Sequence, residues 1–369
     1  MNNINRKIKV AIAGYGFGKK VHLEAFKDSK EFHVISFFHP NIEKKKEIEE
    51  ETGLECEVDW NKLIKRSDIE AIVIATPPEY RFNYAKEALM QKKHLLLEKP
   101  VCLRSGEIEE LQRIALTKNL SVGVNFEYRA VPLFLQAKQL LEENVLGEIF
   151  LIKLDWLMSS RSDPNREWNW YSCSEKGGGV IGAIGTHAFD MLYWFFGEIE
   201  DVSGKISTSI KKRPLSLDKG FSEVTSEDVC LVNIGIKTTG EKTIPCQVSL
   251  SSISKKGRGF SLEIYGSNGS LFLKSENQKD YVHGFSLNLV ENSNKEKSIK
   301  AESHFLFDKT WTDGRIAPVK RIHDLWAESI NKKRPMIPGL CEGLQSQKTC
   351  EAVISSFKNG FTAKTKDIT

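Results

Sequence analysis

A chain of 369 residues is too long for one ordinary core, and about one domain per ~150 residues gives two or three. With 40% hydrophobic and 28% charged residues it has the balance of a globular protein in water; a net charge of +4, in short basic clusters (44–46, 211–213) without interleaved aromatics, argues against a nucleic-acid partner. Seven scattered cysteines without Cys-x-x-Cys or Cys/His metal spacing point to reduced thiols, a cytoplasmic setting and no metal, and with no run of ~18 apolar residues and no cleavable leader, neither membrane nor export is expected.

From residue 8 the pattern alternates strand and helix. "IKVAIAG" (8–14) is a continuous apolar run, as a parallel strand covered on both faces requires. A glycine turn and a helix to about Lys27 follow. Next come strand "HVISFF", charged helix "IEKKKEIEEETG" ending at Gly53, strand "IEAIVIATPP" stopped by Pro77 and Pro78, helix "YRFNYAKEALMQKK", strand "HLLLEKP", helix "GEIEELQRIALTKN" and strand "SVGVNF". Strands alternating with helices of this length predict an α/β fold with a doubly wound parallel sheet over residues 1–126.

Residues 127–369 change rhythm. Helix "PLFLQAKQLLEEN" and strand "EIFLIKLDWLM" lead to a glycine-rich stretch and a helix through "AFDMLYWFFG". From 201 to about 290 only strand-like runs appear, "SNG" marking a hairpin, and helices "VKRIHDLWAESINKK" and "CEGLQSQKTCEAVISSF" close the chain. This predicts a second, α+β domain with an open-faced, mainly antiparallel sheet and its helices on one side. The uncovered face calls for a homodimer or homotetramer. The tail "KTKDIT" is expected to fray.

Gly14, Gly16 and Gly18 follow the first strand directly. In a dinucleotide turn the first glycine makes the bend, the second admits the pyrophosphate, and the helix N-terminus supplies unpaired N–H groups. Here the third slot holds Lys19 and the glycine comes one place early. The acidic residue that would grip a ribose 2′-hydroxyl is replaced by His39, with lysines at 44–46 just beyond, which tilts the expected cofactor from NAD(H) toward NADP(H). Glu98 and Lys99 stand at the C-terminal end of a parallel strand, where open α/β sheets bind ligands.

These motifs in order, Gly-x-Gly-Phe-Gly (Gly14, Gly16, Phe17, Gly18), "ATPP", "EKP" and "GGGVIGAIGTHAFD" (177–190), resemble the Gfo/Idh/MocA oxidoreductases over about residues 7–360. The resemblance implies an N-terminal Rossmann domain, a C-terminal domain that forms dimers or tetramers through its sheet, bound NAD(H) or NADP(H), and hydride transfer to or from a sugar, cyclitol or related polyol. It implies that Lys99 lies between nicotinamide and substrate, that His187 is the acid/base, and that Thr76, Pro77 and Glu98 border the cofactor. Arg81 takes a cofactor-side position where many members have histidine. Ala183, four residues before His187, replaces an aspartate common in members with the full catalytic set.

Hydride can leave a carbinol carbon only as the hydroxyl proton departs, so a base must reach that oxygen. His187 suits that role near neutrality, and its expected place in the first turns of a helix would hold the imidazole neutral. Lys99 would stabilise the developing alkoxide. The glycines would let substrate and nicotinamide crowd His187. Taken alone, His187 also fits a buried core histidine. The loop 159–179 brings Arg161, Asp163, Arg166, Trp168, Asn169 and Trp170, which suit either a polyol pocket or an interface with a partner subunit. Tyr128 and Arg129 follow the last strand of the first domain and face its ligand edge by topology. A non-catalytic nucleotide-binding sensor on the same scaffold is the alternative, motivated by Ala183.

Overall fold

The computed structural model describes residues 6–216, 219–238, 242–277, 280–291 and 295–368. The chain forms two compact units, one of Met1–Glu127 with Lys309–Leu344, the other of Tyr128–Asp308 with Gln345–Thr369.

In unit 1, six strands among the described residues form a sheet: β1 (Ile8–Ala13), β2 (Phe32–Phe38), β3 (Glu55–Glu57), β4 (Ala71–Ile74), β5 (His94–Leu97) and β6 (Val122–Val124), in the order β3-β2-β1-β4-β5-β6 with each neighbouring pair parallel. This is the doubly wound Rossmann order, with its topological switch between β1 and β4. The first helix starts at Gly16, passes through a π-type segment (Gly18–Leu23) and continues as α1 (Glu24–Lys27); α2 (Lys45–Thr52), α3 (Trp60–Lys65), α4 (Pro78–Met90) and α5 (Ser105–Lys118) follow. The glycine stop expected for α2 is observed: Gly53 closes it in the left-handed region at φ 69°.

Unit 2 carries α6 (Pro132–Glu142), β7 (Ile149–Leu157), then a π-type turn (Ile181–Gly185) running into α7 (Thr186–Phe196). Strands β8 (Ile199–Ser207), β9 (Lys212–Pro214), β10 (Phe221–Glu223), β11 (Val229–Lys237), β12 (Thr243–Ser251), β13 (Gly259–Gly266), β14 (Gly269–Ser275), β15 (Ser286–Glu291) and β16 (Glu296–Ile299) complete the middle of the chain. β9 and β10 make a separate ribbon. Among the described residues the others form a nine-stranded sheet with β17 (Ala363–Lys364), in the order β16-β15-β14-β13-β7-β12-β11-β8-β17. It is antiparallel except where β12 runs parallel to β7. The two-residue loop Ser267–Asn268 joins β13 to β14 at the expected hairpin.

One face of this sheet is buried in an aromatic core around Phe134, Trp156, Phe260 and Phe285. The other keeps apolar groups at the surface among charges: Leu151 is 37% and Leu231 51% exposed. Tyr265 pairs beside Leu151, with Phe272 edge-on to it on the next strand.

The chain then adds α8 (Ile316–Lys332) and α9 (Leu340–Asn359). The residues 309–344, assigned by sequence to the second domain, pack with unit 1 instead. Their apolar stripe decides this: Ile316 and Val319 join Val21 and Ala25, while Trp326 stacks on Phe32 at 4.9 Å. The tail also departs from expectation. Ala363 and Lys364 pair with β8, and the buried Thr365 hydroxyl donates to the Ile199 carbonyl, so the chain is anchored through its last described turn. Among the described residues no helix is long and apolar enough to cross a membrane.

Candidate active site

The glycine turn after β1 is shaped by its neighbours. Gly14 has φ +105°, and a Cβ there would stand 2.5 Å from the Ala75 carbonyl oxygen at the end of β4, so only glycine fits. Gly16 is exposed, and a Cβ there would meet nothing within 4 Å. A Cβ on Gly18 would lie 2.8 Å from the Ile12 side chain, so Gly18 does the close helix-to-strand packing of the fingerprint's third glycine. At the neighbouring strand ends, Thr76 Oγ1 and Asn125 Oδ1 are buried and have no partner among the described residues. An open approach, a helix start and orphaned polar atoms along one strand edge fit a dinucleotide.

Other expected cofactor residues are placed less directly. Half-buried His39 ends β2, and its Nδ1 accepts from the Asn41 N–H at 3.2 Å. Lys44, Lys45 and Lys46 form ion pairs along α2 with Glu47, Glu49 and Glu50, which neutralises the cations expected to draw a 2′-phosphate. Phe17 packs edge-on to His22 at 5.4 Å and beneath Arg315. Arg81 is buried, its guanidinium bound to the carbonyls of Thr76 (2.7 Å), Glu98 (2.6 Å) and Pro100. It therefore clamps the two loops that carry Thr76 and Lys99, with those donors facing protein backbone.

Behind Lys99 lies a buried polar chain that the sequence did not disclose. His22 Nε2 reaches the Glu98 carboxylate at 2.9 Å, and its Nδ1 meets His323 Nε2 at 2.9 Å. Asn125 Nδ2 donates to the same Glu98 oxygen at 2.6 Å. Burial alone would raise Glu98, but the His22 hydrogen bond and nearby cations hold its carboxyl below the usual range. Burial holds His323 neutral, well below the usual histidine value. With Glu98 ionised, the consistent arrangement has His22 donating to it from Nε2 and accepting at Nδ1 from His323. A histidine inside the apolar stripe of a first helix was a faint signal for His22. Nothing local pointed to His323, which arrives on the returning α8.

Half-buried Lys99 has its ammonium pushed down by burial, with Glu127 and Glu98 acting in the opposite sense. Burial, reinforced by Glu98, pushes the Glu127 carboxyl up to about 8. Glu127, absent from the sequence expectations, thus joins Glu98 in the electrostatics around Lys99.

In unit 2, His187 is buried on α7, edge-on to Tyr128 at 5.0 Å and tilted against Trp156 at 6.3 Å. The Tyr128 hydroxyl donates to that of Tyr281 at 2.7 Å, so Tyr128 packs the imidazole in place while its polar end is engaged elsewhere. The expected helix-dipole effect is corrected. Helical structure begins at Gly179, about two turns before His187, and the dipole's influence fades within the first turn. Asp190 forms a bidentate buried pair with Arg129 (2.9 and 2.7 Å), which ties α7 to the turn bearing Tyr128.

The glycines before His187 answer to protein neighbours. A Cβ on Gly178 would lie 2.2 Å from the Tyr171 carbonyl oxygen, and Gly179, at φ +97°, would drive one to 2.3 Å from Glu227. Glu227 also accepts from the Ile181 N–H at 2.8 Å, and burial pushes its carboxyl up to about 7. Between about pH 4.3, where an unfolded glutamate ionises, and about 7, the folded chain keeps a proton the unfolded chain has lost, so this group makes stability fall as pH rises. Glu227→Gln keeps the acceptor and removes the titration. Thermal melts across this window are expected to show the variant gaining on wild type by up to about 1.4 kcal/mol per pH unit; parallel curves would contradict the assignment.

The loop 159–179 is built largely on itself and on the β9–β10 ribbon. The Trp168 indole N–H donates to the Glu223 carbonyl at 2.8 Å, and Asn169 Oδ1 caps the following turn by accepting from Tyr171 N. Arg161 lies over the Tyr171 ring at 3.8 Å. Of the expected substrate residues, Tyr128 and His187 are brought into contact, while Trp168 and Asn169 use these polar atoms to shape the loop.

Comparison with known proteins agrees with this architecture. Residues 8–126 match the model described as "Oxidoreductase family, NAD-binding Rossmann fold", and residues 138–365 the model "Oxidoreductase family, C-terminal alpha/beta domain". The chain belongs to the Gfo/Idh/MocA oxidoreductase family. Within it, this member is 39% identical over 342 residues to an uncharacterized oxidoreductase, sll0816, of Synechocystis sp., covering 92% of this chain and 91% of that one. It is 24% identical to levoglucosan dehydrogenase of Pseudarthrobacter phenanthrenivorans, covering 96% of each. A solved levoglucosan dehydrogenase in complex with NADH and L-sorbose superposes with a TM-score of 0.85 at 22% identity, over 98% of this chain and 99% of that one. This family member is thus an oxidoreductase with an NAD-binding domain.

Proposed function

We propose that this oxidoreductase transfers a hydride between NAD(H) or NADP(H) and a CH–OH group of a sugar, cyclitol or related polyol. The observation that carries the reading is the half-buried Lys99 at the ligand edge of the NAD-binding sheet, backed by Glu98 and Glu127. The levoglucosan dehydrogenase relative, and its solved complex with NADH and L-sorbose, support a sugar-type substrate.

A bound nicotinamide supplies the hydride acceptor or donor. In this reading Lys99 stabilises negative charge growing on the substrate oxygen, and burial strengthens that interaction. His187 takes the hydroxyl proton on oxidation and returns it on reduction, held in orientation by Tyr128 and Trp156. Gly14, Gly16, Gly18, Thr76 and Pro77 border the cofactor, and Arg81 sets the shape of that border. With the lysines of α2 paired, the lean toward NADP(H) rests on His39 alone. The protein is proposed to act in the cytoplasm as a homodimer or homotetramer joined through the outer sheet face that bears Leu151 and Leu231.

The test is absorbance at 340 nm with NAD⁺ or NADP⁺ across a polyol and sugar panel. Cofactor reduction with at least one sugar is expected. Nicotinamide fluorescence showing binding, with no turnover on any member, would favour the sensor reading that Ala183 motivates.

A further inference from the structure

The residues that follow β7 lead into a group of three guanidiniums close enough to act on one another. The Arg161 backbone N–H donates to the Ser252 carbonyl at 2.8 Å, which pins the turn after β7 to the residue following β12. Its guanidinium rests on the Tyr171 ring, and its Nη1 is buried with no partner among the described residues. Arg213, buried on β9, reaches in and donates to the carbonyls of Asp163 and Arg161, each at 2.7 Å. Arg166 donates to the Ser160 carbonyl at 2.7 Å from the exposed side of the same loop.

The three guanidiniums feel one another. Burial first, then Arg166 and Arg213, push Arg161 down to about 10. Burial and Arg166 likewise lower Arg213, and the attraction of Asp228 and Asp163 offsets only part of this. Among the described residues no carboxylate forms an ion pair with any of the three. The nearest acids are engaged by backbone: Asp163 accepts from Asn165 N, and Asp228 from the N–H groups of Ser209 and Ile210, each at 2.9 Å. Gathering like charges and burying a guanidinium nitrogen without an acceptor is unfavourable in the empty protein. An anion reverses both terms, because arginine's fork matches phosphate and carboxylate oxygens.

The position of the group links it to the site. Trp156, which packs against His187, is on β7 five residues before Arg161, and Glu227 lies against Gly179, the last residue of the arginine loop, and accepts from the Ile181 N–H of the turn leading to His187. We infer that Arg161, Arg166 and Arg213 form an anion subsite, and that the preferred substrate is a sugar bearing a phosphate monoester or a carboxylate. The inference rests on the sugar-oxidoreductase reading for its choice of substrate and on the arginine geometry for its charge.

The test is calorimetric binding of glucose 6-phosphate, glucuronate and glucose to the full chain in the presence of NADH, for wild type, Arg161→Met and Arg161→Lys. Wild type is expected to bind one of the charged sugars at least about tenfold more tightly than glucose, the phosphate and carboxylate arms showing which anion fits. Arg161→Met should abolish that preference with NADH binding unchanged, and Arg161→Lys should retain part of it. Equal affinities of wild type for all three sugars would overturn the inference, as would hydride transfer confined to the neutral sugar; the latter would leave the oxidoreductase reading intact. Tight binding of a charged sugar without any turnover would uphold the subsite and count against that reading alone.

Discussion

Lys99→Met is expected to lower kcat/KM for the best sugar of the panel by about 10²–10³-fold, the usual cost of removing one preorganised charge that stabilises an oxyanion. Methionine keeps the length and removes the ammonium. NADH binding should change little, because the glycine turn and the orphaned strand-end groups, which fit the dinucleotide, are untouched. The loss should fall on kcat more than on KM, since the interaction strengthens only as charge develops on the substrate oxygen. Lys99 also helps keep the Glu127 carboxyl from rising further, so the pH dependence of the residual activity should shift as well. Steady-state kinetics with both proteins decide the matter, and equal rates would remove Lys99 from the mechanism.

Asp190→Ala is expected to be the most damaging single change to unit 2, lowering unfolding free energy by about 3–5 kcal/mol. Arg129 and Asp190 are buried, with side chains 7% and 2% exposed, and they meet through two short hydrogen bonds. Removing the carboxylate leaves a guanidinium in the interior beside Trp194, without its bidentate partner. The pair joins α7 to the turn that presses Tyr128 against His187, so the aspartate of "GTHAFD" is a lock that orients the histidine from a distance. Urea denaturation measures this; a change below about 1 kcal/mol would show the pair to be dispensable.

The parallel sheet was legible because β1 and β4 are almost wholly apolar runs bounded by glycine or proline, a pattern that few other arrangements share. β3 escaped because three residues, Glu-Cys-Glu, are too few to show alternation. The returning α8 was recognised as a helix yet placed in the wrong unit, since an amphipathic stripe records that a partner exists and carries no address. The same limit hid His323: its contact with His22 depends on a fold-level return of the chain. Lys99 and His187 were visible as isolated motif residues, whereas the groups that tune and hold them, Glu127, Tyr281 and Glu227, are defined by burial and close approach alone. The glycines of 177–179 were read as room for ligands; the nearby Tyr171 carbonyl and Glu227 carboxyl give them a reason internal to the protein.

The most direct measurement follows the hydride itself. A sugar from the panel carrying deuterium on the carbon to be oxidised is incubated with the protein and NAD⁺ or NADP⁺, and the recovered reduced cofactor is weighed by mass spectrometry. A reduced cofactor heavier by one mass unit is expected, formed more slowly than with the protium sugar. Reduced cofactor without the label, or none at all while NADH still binds, would contradict it.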